Sequence, residues 1–275
     1  MTILDRILET KREEVVAAKL RRPLDALRRD ADRLPPARDF HAAVIGDGSG
    51  IRLIAEVKKA SPSAGLIVRD FDPVAIARKY HECGAAALSV LTDETYFQGR
   101  LEYIEQVRRD VPLPVLRKDF IVDEYQVFQS RAAGADAILL IAEVLDTKRI
   151  AAFRSIAREL GLGVLVEVHS AEDLAGVLAE LGPPSRDRYL LGINNRDLKA
   201  QRTDLATSVR LAATLPKGVP FVSESGIGQR SDVIALQEIG ACAILVGESL
   251  LKANDIGAKI AELMGTTPVT RPVRS

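Results

Sequence analysis

The chain has no tryptophan, two cysteines, two methionines and three histidines among its 275 residues. Cys83 and Cys242 lie far apart, and neither belongs to a CxxC or Cys/His cluster. Two small buried thiols are expected, with no disulfide framework and no zinc site. His41, His81 and His169 show no metal-ligand spacing, and His81 sits in a helix whose apolar face is already defined, which makes it a surface residue. Net charge is lacking too: 38 basic residues balance 38 acidic ones, so no global field draws the chain onto nucleic acid or an anionic membrane. Any anion must be gripped locally. The N-terminus, MTILDRILETKREEVV, has charges every few residues and no apolar run, which excludes a signal peptide or a membrane span there. A cytoplasmic protein without nucleic-acid or membrane partners is the expectation. No GxSxG, P-loop or zinc motif is present.

What is present is a rhythm. From about residue 51, short runs rich in Val, Ile and Leu alternate with longer segments of helical period, the pattern of βα units. Eight runs occur: Ile51–Val57, Ala86–Leu91, Pro114–Arg117, Ala137–Ile141, Gly163–Val168, Tyr189–Ile193, Pro220–Ser223 and Ala243–Val246. Most are apolar on both parities, as expected of parallel strands buried on both faces. Asp72-Pro73 and Asp123 open helices, and Gly84, Gly134 and Gly240 close three of them, each followed by a similar tetrapeptide leading into a strand. Eight repeats over about 220 residues predict an α/β fold, a closed (β/α)8 TIM barrel over residues 46–264. Residues 1–45 read as an N-terminal helical extension, with Leu4, Ile7, Leu8 and Val15 on a stripe, and residues 265–275 as a disordered tail.

Active sites of such barrels lie at the C-terminal ends of the strands, and charge is concentrated there. Glu56 and Lys58 share a face at the end of the first strand, Glu167 and His169 at the fifth, and Asn194 and Arg196 at the sixth. The third strand ends Arg117-Lys118-Asp119. So many inward ionic groups exceed what salt bridging of a barrel top requires and suit pKa tuning for catalysis. Lys58 or Lys118 also suits a Schiff base. After strands 7 and 8, Ser225-Gly226 and Gly247-Glu248 precede helices, where small residues and a helix N-terminus favour a phosphate. Ser61 adds a hydroxyl after strand 1. Phe97, Phe120 and Leu140, near the ends of strands 2, 3 and 4, supply an apolar wall.

The segments IAEVKKASPS (54–63), LSVLTDETYFQG (88–99), LRKDFIVDEYQ (116–126), LVEVH (165–169), GINNRDL (192–198), SESGI (223–227) and LVGESL (245–250) resemble, in order, the indole-3-glycerol phosphate synthase family of tryptophan biosynthesis. The likeness runs from ILDRILETKREEV to about Met264. Ala64 departs from it, standing where the family often has lysine after SPS.

The resemblance implies ring closure of 1-(2-carboxyphenylamino)-1-deoxyribulose 5-phosphate, with loss of carbon dioxide and water and no cofactor, because electrons released on decarboxylation enter the substrate's own nitrogen. It makes Lys118 the acid, Lys58 the cation that positions the substrate carboxylate, and Glu167 the base, with Glu56 and Asn194 positioning hydroxyls and catalytic groups. Types and spacing leave open which lysine is the acid in each step. The resemblance also gives Arg196 to substrate oxygens and Ser225, Gly226, Gly247 and Glu248 to the phosphate, with the Glu248 carboxylate turned outward. It places the N-terminal helix over the barrel mouth, against the alternative of a bottom cap. A phosphorylated small molecule is the implied partner, and association with other enzymes of the pathway stays open. Two rivals share the phosphate loops: a phosphoribosylanthranilate isomerase-like barrel, which lacks the EVK and RKDF pattern, and a catalytically silent partner subunit, which has no use for two inward lysines and two inward glutamates.

Overall fold

The computed structural model describes residues 1–185, 189–197 and 202–267. Eight parallel strands close into a barrel: β1 (Arg52–Val57), β2 (Ala87–Leu91), β3 (Val115–Lys118), β4 (Ala137–Ile141), β5 (Gly163–Val168), β6 (Leu190–Asn194), β7 (Phe221–Glu224) and β8 (Ala241–Val246). Each pairs with its sequence neighbours, and β1 closes the ring by pairing with β8, Arg52 opposite Ala243 and Ala55 opposite Val246. All eight expected runs are strands, within a residue or two at their ends. A two-residue hairpin that the periodicity does not announce, Ala60–Ser61 with Gly65–Leu66, follows β1.

Pleating sorts each strand into two layers. Ile54, Leu116, Leu139, Leu165, Leu190, Val222 and Leu245 pack inside the barrel. Their neighbours Leu53, Val115, Leu140, Val166, Leu191, Phe221 and Ile244 pack outward under the helices. Leu140 therefore belongs to the outer layer, and Leu139 and Ile141 take the inner place expected of it.

The helix signals act as read. Asp72 accepts the N–H groups of Val74 and Ala75 at the start of α4 (Pro73–Glu82), and Gly84, Gly134 and Gly240 all have φ near +90°. Only glycine enters that region freely, so each turns the chain from helix to strand without strain. The thiols differ from expectation in being only half-buried. Cys242 donates to the Phe221 carbonyl at 3.3 Å, and burial pushes its thiol up to about 11.

Three helices precede the barrel: α1 (Ile3–Arg21), α2 (Leu24–Asp32) and α3 (Phe40–Ile45). They do different jobs. From α3, Phe40 and Val44 fill the barrel interior, while the Val164 N–H at the start of β5 donates to His41 Nε2 at 3.0 Å, which puts this helix at the bottom. From α1, Ile3, Leu4 and Ile7 line the cavity at the other end. Val15 and Leu27 meet Val122, Tyr125, Phe128 and Ala132, so α7 (Glu124–Ala132) is covered outside by α1 and α2 and inside, through Val127, by the barrel. Of the expected tail, Gly265 ends the last helix, α13 (Ile256–Met264), at φ +67°, and residues 268–275 lie outside the described residues. Among the described residues, no helix is long and apolar enough to cross a membrane.

Candidate active site

A cavity of about 440 Å³ opens at the C-terminal ends of the strands. Glu56, Lys58, Lys118, Glu167, Asn194 and Arg196 line it, as do Phe97, Phe120, Ser225, Gly226, Gly247 and Glu248. Thus the fold gathers into one chamber every predicted catalytic and binding residue but Ser61, with Leu140 of the expected apolar wall also outside it. That hydroxyl is used within the hairpin, accepting from the Ala64 N–H at 3.2 Å, and Pro62 takes the lining position.

The chamber has a charged floor. Lys58 Nζ donates to Glu56 Oε1 at 2.5 Å. Lys118 Nζ donates to Glu167 Oε2 at 2.5 Å and to Glu224 Oε2 at 2.7 Å. Glu224 is the residue that sequence reasoning missed. It is the last residue of β7, and the SESG segment reads as a loop, so only its parity with inward Val222 signals the orientation. Its carboxylate fits because Gly192 opposite has no side chain: a Cβ there would collide with Glu224 Oε1.

Ionisation follows from these contacts. Burial opposes the Lys118 charge, yet Glu167, Glu224 and Glu56 outweigh it and hold the ammonium protonated far above the ordinary lysine range. Burial also opposes the Glu167 charge, but Lys118 and His169 prevail and keep it well below the usual carboxylate range. For Glu224, burial wins, reinforced by the charge on Glu167, and its affinity for a proton rises despite Lys118. One cation thus sits between two carboxylates of unequal proton affinity, lowered at Glu167 and raised at Glu224.

Other expected charges point elsewhere. Arg117 runs outward, where its Nη1 donates to the Gln126 carbonyl and Ser130 Oγ of α7, and its Nη2 to Asp119 Oδ2 at 2.9 Å. Asp119 accepts further bonds from Thr92 and from Lys11 of α1. The sequence stripe of α1 did not single out Lys11, which is 3% exposed and also pairs with Asp93 at 2.9 Å.

The wall expected to take the phosphate is built from loops. Ser225 and Gly226 are both left-handed, at φ +65° and +79°, a conformation that costs serine energy and glycine little. Helices begin just after both loops. At the start of α11 (Arg230–Glu238) the N–H groups of Gly228 and Gln229 already donate to Asp232 Oδ2, at 2.9 and 3.0 Å, and α12 (Glu248–Leu251) is four residues long. Cations compensate. Arg196 reaches Ser63 Oγ at 2.6 Å and Glu248 Oε2 at 3.3 Å, and Lys252 holds Glu248 Oε1 at 2.7 Å. Rather than turning outward, Glu248 lines the cavity with its charge paired on both sides. Above lies an apolar roof: the Phe97 and Phe120 rings stand 6.2 Å apart, beside Ile3, Leu4 and Ile7.

Similarity to known proteins extends over most of the chain. A solved 3-hexulose-6-phosphate synthase from Salmonella typhimurium superposes with a TM-score of 0.62 at 14% identity, covering 78% of this chain and 97% of that one, a likeness of fold alone. Indole-3-glycerol phosphate synthase of Rhodopirellula baltica is 52% identical over 256 residues, 93% of this chain and 96% of its own. That of Laribacter hongkongensis is 49% identical over 264 residues, 95% and 98% of the two chains. Because the family model for indole-3-glycerol phosphate synthase matches residues 4–263, nearly end to end, the chain belongs to that family.

Proposed function

We propose that the chain closes the indole ring of indole-3-glycerol phosphate from 1-(2-carboxyphenylamino)-1-deoxyribulose 5-phosphate, releasing carbon dioxide and water, as a cytoplasmic enzyme of tryptophan biosynthesis. The observation that carries the reading is Lys118, a buried ammonium fixed between two carboxylates inside a chamber with an apolar roof and a cationic rim.

Substrate lies with its aryl ring under Phe97, Phe120 and α1 and its phosphate at Ser225, Gly226, Gly247 and Arg196, opposite walls of the cavity. Lys58 holds the substrate carboxylate, folding the carboxylate-bearing carbon toward the ketone. As that carbon attacks, the ketone oxygen becomes an alkoxide, a stronger base than a lysine amine, and takes a proton from Lys118. Departing carbon dioxide leaves its electron pair to the iminium nitrogen. Glu167 then removes a proton from the five-membered ring while a lysine ammonium of the chamber protonates the new hydroxyl, which leaves as water and completes the aromatic indole. Glu56 and Asn194 orient the hydroxyls of the sugar chain. Residues 1–45 serve this chemistry as roof and floor of the barrel at 46–264.

The test is an absorbance or fluorescence assay for the indole chromophore with purified protein and this substrate alone. Steady turnover supports the reading. Absence of product from folded protein at saturating substrate overturns it.

A further inference from the structure

His169 follows β5 by one residue and shares its inward face with Glu167, two positions earlier. Its side chain is 8% exposed and stands between two carboxylates: Nε2 is 3.3 Å from Glu167 Oε1, and Nδ1 is 3.7 Å from Glu143 Oε2. The other Glu167 oxygen belongs to Lys118. Glu224, the second carboxylate on Lys118, has no imidazole within ion-pair distance among the described residues. Two otherwise similar acids on one ammonium are thus made unequal by a neighbour that touches only one of them.

We propose that His169 is a positioning residue for ring closure: by pairing as imidazolium with Glu167 and not with Glu224, it decides which carboxylate of the Lys118 pair is the ionised base. The inference rests on the proposed role of Glu167. Without His169, the two acids compete for one ammonium, and repulsion between them favours a proton on either. With it, the negative charge settles on Glu167, the proton on Glu224, and Glu167 keeps a fixed orientation because each of its oxygens faces a cation. Glu143, from the segment after β4, completes the arrangement by facing the second ring nitrogen.

The groups around the imidazole agree in direction. Burial and the adjoining N-terminus of α9 (Ala171–Leu181) disfavour its charge; Glu167 on β5, Glu143 after β4 and Glu224 on β7 favour it and prevail, raising its proton affinity above the ordinary value, with Lys118 on β3 reaching the same Glu167.

Isotope-labelled histidine spectra of the full chain test this without turnover, since His41, His81 and His169 are the only three signals and the His169→Gln variant assigns one of them. The His169 signal is expected to be that of imidazolium at neutral pH, and Glu167→Gln is expected to move its titration to lower pH by more than Glu224→Gln does. A neutral ring at pH 7, or equal shifts in both variants, overturns the proposal. Kinetics of His169→Gln give a second readout in parent-active enzyme: kcat down by about ten- to a hundredfold, KM nearly unchanged, and the acid limb of kcat moved to higher pH, because Glu167 holds its proton longer. A parent-like acid limb overturns the proposal. A parent enzyme that makes no indole product refutes the reaction instead, and leaves the spectra to judge His169.

Discussion

Lys11 Nζ on α1 lies 3.0 Å from Asp119 Oδ1, on the residue beside Lys118. The roof and the proposed acid are therefore joined through one buried ion pair. Lys11→Met strands Asp93 and Asp119 in the interior, a loss of about 3–5 kcal/mol when no other cation compensates, and Arg117 keeps the cost toward the lower end. Because α1 carries Ile3, Leu4 and Ile7 into the cavity, KM rises more than kcat falls. Steady-state kinetics with a thermal melt check both; an unchanged KM in a destabilised variant reduces α1 to a structural brace.

The two acids on Lys118 should respond unequally. Glu167→Gln removes the proposed base and lowers kcat by about 10²–10⁴. Glu224→Gln mimics the protonated form that burial favours there and costs less than about tenfold. Parallel kcat measurements decide it, and a larger loss at Glu224 reverses the assignment.

Asp119 links stability to pH. Burial works against its charge, but Lys11, Arg117 and Thr92 pull its pKa down to about 2, below the ordinary aspartate value near 4. A lowered carboxylate stabilises the fold above its unfolded pKa and loses that contribution as pH falls through the folded one. Asp119→Asn should therefore lower Tm at pH 7, and the gap should close between about pH 4 and 2. A gap independent of pH contradicts this.

At the phosphate side, Gly226 has φ +79°, and a Cβ there would lie 2.6 Å from Thr203 Cγ2. Gly226→Val displaces the loop and raises KM with a smaller effect on kcat, and inorganic phosphate competes with substrate in the parent and raises its Tm. Phosphate that does neither removes the anion from these loops.

How much of this could be read in advance depended on where each residue's partners lie in the chain. The strands, their inward charges and the glycine turns rest on local periodicity, and they stand where the sequence puts them. Leu140 was misplaced by one position, which under a period of two exchanges the faces. Lys11 hides on an apolar stripe because its partners, Asp93 and Asp119, are more than 80 residues away. Glu224 resembles loop sequence until the barrel closes and β7 brings it against Lys118 of β3. Asp232 engages the N–H groups of Gly228 and Gln229 just before α11, a contact that the small residues of this loop do not announce.

In the proposed reaction, Lys118 supplies the proton that lets the ring close. Lys118→Met keeps much of the stem's packing and removes the acid. Its circular dichroism and melting curve establish that the barrel is intact, and indole formation at saturating substrate is then compared with the parent. A fall in kcat of about 10²–10⁴ is expected. A folded Lys118→Met protein that turns over near the parental rate contradicts it.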